Sequence, residues 1–104
     1  MKQFDLYRNS DDDTQSAYPY FVDVQSGLLE NLNSRVVIPL VPSLTAKSYP
    51  KNLCPSIMIN NKKHALMTHQ ITTVPASFLA DKEGSLLLNR DDIISSLDFL
   101  FTGI

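Results

Sequence analysis

The chain has 104 residues, is 43% hydrophobic and 19% charged, and carries a formal net charge of −2. That is enough chain for one core, and the wrong sign of charge for holding nucleic acid by electrostatics alone. The single cysteine, Cys54, excludes an internal disulfide framework, and no apolar run approaches the roughly twenty residues of a membrane helix.

In chain order, Phe4 and Leu6 alternate with Asp5 and Tyr7, which predicts a short first strand. Asp11, Asp12 and Asp13 follow; adjacent carboxylates repel one another and resist burial, so this segment reads as a solvated loop. Residues 21–26 form the next strand, with Asp23 and Gln25 on the face of Phe21, either solvated or in an interface. Leu28 and Leu29 stand side by side in a connector, where one can face a core and the other cannot. Residues 35–42 are almost continuously apolar, as in a buried strand, and Pro39 predicts an edge or a bulge because it cannot donate to a ladder. Residues 43–52 are irregular. Residues 53–59 and 63–69 form a hairpin around Asn60-Asn61, which tolerates positive φ. Residues 71–79, interrupted by Pro75, give one more strand or a bent pair, and residues 81–84 a turn.

The last segment, residues 89–104, has helical periodicity. Ile93, Leu97, Leu100 and Ile104 form an apolar stripe widened by Ile94 and Phe101, with Ser95, Ser96 and Asp98 away from it and Phe99 among the polar positions. Asn89 is a candidate N-cap, Leu88 and Ile93 a candidate hydrophobic staple, and Gly103 a candidate C-cap. The expected fold is mainly β with one C-terminal α-helix: a small antiparallel barrel over about residues 1–88, then the helix over about 89–102, in a single domain of 1–104.

Chemistry is sparse. His64 and His69 fall on opposite faces of one expected strand and cannot converge on a metal. Arg8, Arg35 and Arg90 are scattered, and neither a nucleophile elbow nor a phosphate loop occurs. Cys54 lies in an apolar run and reads as a buried thiol. The residues favour a binding module over a catalyst, with no catalytic residue, cofactor or metal expected. Residues 1–6 lack an apolar leader core, so a cytoplasmic location is the expectation.

Three stretches carry a resemblance: FVDVQSGLL at 21–29 followed by RVVIPL at 35–40, Val74-Pro75 after Met67, and Asp92-Ile93 with the terminal Gly103-Ile104. Together they resemble the CcdB family of plasmid-addiction toxins over nearly the whole chain. The resemblance implies an SH3-like barrel that forms a homodimer, binds the DNA gyrase A subunit and traps gyrase on cleaved DNA. It implies a CcdA-type antitoxin that neutralises the toxin and co-represses the operon, touching operator DNA on the pair's behalf, and it implies no membrane role. Carried over by position, the gyrase-binding residues are Ser26, Leu28, Leu29, Phe101, Thr102, Gly103 and Ile104. Thr102 stands where the best-known member of that family has tryptophan, so an aromatic contact is missing. The alternative is a sequence-specific endoribonuclease of the same fold, which would need Arg35 with His64 or His69 beside a phosphate.

Overall fold

The computed structural model describes residues 1–103, so the expected roles of Ile104 lie outside the described residues. Within them are seven strands and one α-helix: β1 (Asp5–Arg8), β2 (Tyr20–Asp23), β3 (Ser34–Pro42), β4 (Ser56–Ile59), β5 (Lys62–Leu66), β6 (Thr72–Pro75), β7 (Lys82–Ser85) and α1 (Arg90–Thr102). The strands form one sheet in the order β4-β5-β3-β2-β1-β7, with β6 also paired to β3 and every pair antiparallel. The result is the mainly β, curled half-barrel with a C-terminal helix that the sequence indicates.

The long strand β3 runs through the centre. Its first half, Ser34 to Val37, pairs with β6, and its last residues, Leu40 to Pro42, pair with β5. Pro39 lies between the two partners. Its carbonyl accepts from the Met67 N–H at 2.9 Å, so its nitrogen faces the same seam, where no strand needs a donor. A proline expected at an edge therefore sits in a central strand without breaking a ladder.

Asn60 and Asn61 take φ of 51° and 65° and turn β4 into β5 as anticipated. The segment read as a turn at 81–84 is instead mostly strand: β7 pairs with β1, with a register shift between Leu6 and Tyr7. Its lack of apolar residues suits a charged edge strand, which discourages further pairing. The simple alternation expected around β1 also fails, because Phe4, Asp5, Leu6 and Tyr7 are all buried. Phe4 and Leu6 join the main core, while Tyr7 packs with Val37 and Leu79 in a second cluster on the opposite side of the sheet.

Helix α1 covers the main core through Ile93, which is fully buried, with Ile94 and Leu97 half-buried beside it. Ser96, assigned to the polar face, is buried too: its hydroxyl donates to the Ile93 carbonyl at 2.8 Å and accepts from the Thr68 hydroxyl at 3.0 Å. That bond ties the helix to the 3-10 turn Thr68–Gln70. The entrance to α1 also differs from expectation. A 3-10 turn, Leu87–Asn89, runs straight into it, and the Asn89 side chain makes no capping bond. Leu88 is 100% exposed and so cannot staple to Ile93.

Candidate functional site

Beneath the β2–β3 connection lies a buried polar cluster. Asp23 ends β2 and Arg35 opens the buried part of β3, and both side chains are inaccessible to solvent. Arg35 donates to Asp23 from Nε at 2.8 Å and from Nη2 at 3.1 Å, a paired geometry that orients as well as attracts. Nη1 of Arg35 is the buried side-chain nitrogen without a partner among the described residues, so the guanidinium depends heavily on Asp23. Gln25 is buried beside the pair. The face of Phe21, expected to be solvated or in an interface, is covered by β6 and the chain after it: Phe78 meets Phe21 edge-on at 5.6 Å, and Val74 and Leu79 complete the cover.

The connection itself rises from this cluster as a 3-10 turn, Gly27–Leu29. The Ser26 hydroxyl accepts from the Leu28 N–H at 3.2 Å, and the Ser26 carbonyl accepts from the Leu29 N–H at 3.0 Å. Leu28 is 94% exposed and Leu29 47%, so the pair projects from a braced turn.

At the end of α1 the bracing is different. Gly103 sits at φ 73°, the left-handed conformation that closes a helix, and its N–H donates to the Phe99 carbonyl at 3.0 Å. The Thr102 hydroxyl donates to the Asp98 carbonyl at 2.6 Å, which keeps its side chain against the last turn. Phe101, placed by periodicity on the margin of the buried stripe, is 71% exposed, whereas Phe99 is half-buried. The structure thus gathers Ser26, Leu28 and Leu29 on one turn and Phe101, Thr102 and Gly103 on one helix end.

Among the described residues the remaining polar groups form no recognisable catalytic set. Arg35 cannot stabilise an external phosphate from its buried position. The two histidines do not share a strand: His64 lies on β5, with Nδ1 3.0 Å from the Lys62 carbonyl, and His69 lies in the Thr68–Gln70 turn. His69 Nδ1 is 3.7 Å from Cys54 Sγ, but burial raises the Cys54 thiol above its ordinary value and disfavours the nucleophilic thiolate. Burial, and then the charge of Asp5, raise the Tyr7 phenol. Glu83 is held below the usual carboxylate range by hydrogen bonds from Asn60 and Arg8, and these bonds clasp the β4–β5 turn and β1 to β7. The Asp11 carboxylate accepts from the Asp13 N–H and the Thr14 hydroxyl, so the acidic loop folds onto itself. Among the described residues no three His, Cys, Asp or Glu side chains are grouped to hold a metal, and no helix is long and apolar enough to cross a membrane.

The Asp23, Gln25 and Arg35 cluster escaped sequence reasoning, although the alternation of Asp23 and Gln25 with apolar neighbours, followed by a lone arginine at the head of an apolar strand, carried a signal for it. A family model described as "CcdB protein" matches residues 3–103, and the chain belongs to that family. It is accordingly the toxin of a toxin–antitoxin pair, in a family of inhibitors rather than catalysts.

Proposed function

We propose that this CcdB family member binds the DNA gyrase A subunit as a homodimer and traps the enzyme on cleaved DNA. Ser26, Leu28, Leu29, Phe101, Thr102, Gly103 and Ile104 form the contact. The family match over residues 3–103 carries this reading. The exposure of Leu28 and Phe101 on two braced elements supports the choice of residues.

The mechanism needs no bond-making by the toxin. Apolar side chains carried on backbone that is already ordered before binding spare the cost of ordering that backbone on docking. A ligand that fits one state of gyrase better than the others enriches that state in proportion to its differential affinity. Two copies of the site on a two-fold dimer match a two-fold enzyme and add avidity. Thr102 offers less contact area than the tryptophan of the best-known family member, which leaves more of the apolar contact to Leu28, Leu29 and Phe101. Neutralisation by a CcdA-type antitoxin, and joint repression of the operon with DNA contacts made by the antitoxin, complete the proposed role.

The test is incubation of the purified protein with gyrase, ATP and supercoiled DNA, followed by denaturation of the enzyme. Linear, enzyme-linked DNA that increases with toxin is expected; unchanged supercoiling and no linear product would reject the proposal.

A further inference from the structure

We infer that Gln25 is a positioning residue for the Leu28 contact, acting as the joint through which the buried Asp23–Arg35 pair sets the height of the Gly27–Leu29 turn. The inference rests on the reading that Leu28 meets gyrase. Every polar group of Gln25 is engaged. Its N–H donates to Asp23 Oδ1 at 2.9 Å, and its carbonyl accepts from Arg35 Nη2 at 3.4 Å. Its side-chain Oε1 accepts from the Val36 N–H at 3.0 Å, and its Nε2 donates to the Leu29 carbonyl at 3.2 Å.

The amide has one workable orientation, because Val36 presents a donor and Leu29 an acceptor. Oε1 stands in for a ladder carbonyl where the chain leaves the β2 direction, so β3 keeps its hydrogen bonding while the backbone departs. Nε2 holds the far end of the turn, and Ser26 holds its near end through the Leu28 N–H. Leu28, 94% exposed, has little packing of its own to fix it. Its placement therefore comes from these two side-chain bonds together with the backbone bond from the Leu29 N–H to the Ser26 carbonyl, and the Gln25 bond is anchored in a site that water does not reach. A short polar residue at position 25 could not span from Val36 to Leu29, and an apolar one would leave the Val36 N–H unpaired.

Gln25→Glu separates the two halves of this joint. At pH 8 the carboxylate still accepts from Val36 but cannot donate to Leu29. Losing one such bond corresponds to about a twofold to tenfold change in an equilibrium. Three measurements decide the matter. Hydrogen exchange of the Leu28 and Leu29 amides is expected to accelerate about twofold to tenfold in Gln25→Glu, with Val22 and Ile38 unchanged. Affinity for a gyrase A fragment is expected to fall by a similar factor. In a double-mutant cycle, adding Gln25→Glu to Leu28→Ala is expected to cost less than Gln25→Glu costs alone, because the main group being positioned is already gone and Leu29 alone remains to be misplaced.

A Gln25→Glu effect that persists in full on the Leu28→Ala background would overturn the inference, since a merely structural role gives additive losses. Unchanged exchange at Leu28 and Leu29 would also overturn it. If Leu28→Ala alone leaves gyrase affinity intact, the contact assignment fails, while the exchange data still decide whether Gln25 positions the turn. Gln25→Met, which removes both side-chain bonds and introduces no charge, serves as the second variant; equal exchange rates for it and the parent chain would likewise count against the joint.

Discussion

The β2–β3 turn and the end of α1 both present apolar side chains to solvent, yet one is stiffened by buried side chains and the other by backbone geometry. Under the turn, Asp23, Arg35 and Gln25 are closed off from water and bonded to one another. At the helix end, a left-handed glycine and one hydroxyl close the last carbonyls. The difference lies in what each support depends on. The turn is coupled to the core, because its bracing pair joins β2 to β3, whereas the helix end is local and can be changed without disturbing the sheet.

Removing a partner from the buried pair should therefore give the largest effect. Asp23→Ala leaves a buried guanidinium uncompensated and is expected to lose about 3–5 kcal/mol of stability in urea denaturation. A loss below about 1 kcal/mol would erase the contrast between the two supports. Gly103→Ala forces a side chain into the left-handed region and should cost about 1–2 kcal/mol at most, confined to the last turn. Helical ellipticity should fall slightly while the thermal transition of the sheet stays nearly fixed; a collapse of the whole fold would show that the helix end is coupled to the core after all.

A smaller, pH-dependent effect belongs to the clasp away from both features. The folded-state value of Glu83 is lowered by Asn60 and Arg8, so its stabilisation is present above the unfolded value near 4.5 and is lost as pH falls through the lower folded value. Glu83→Gln should flatten the acid side of the stability profile in that window and leave the neutral region nearly unchanged. An identical acid limb in both proteins would remove Glu83 from the account.

The sequence carried the hairpin at Asn60-Asn61 and the glycine closing α1, because each depends on a few adjacent residues; it expected one of Leu28 and Leu29 to be able to face the core, and neither does. It missed what depends on distant cover. Asp23 and Gln25 share a face with Phe21, and distant chain around Val74, Phe78 and Leu79 covers that face. Ser96 looks polar by helical spacing, but the Thr68 hydroxyl gives it a buried partner. Lys82 to Ser85 contains no apolar run, so pairing with β1 was invisible until both strands were placed. Pro39 misled for a related reason: the seam between β5 and β6 exists only in the assembled sheet. Of the proposed contact, the residues were legible one by one, whereas the joint at Gln25 that orders the turn was not.

The most direct test of the central idea, that presentation rather than reactivity does the harm, is the yield of gyrase-linked cleaved DNA with the full chain and with a chain lacking residues 102–104. Circular dichroism should report a folded protein in both cases. Cleaved DNA is expected to accumulate with the full chain and to fall to the background level with the shortened one. Equal accumulation with both chains would contradict the account.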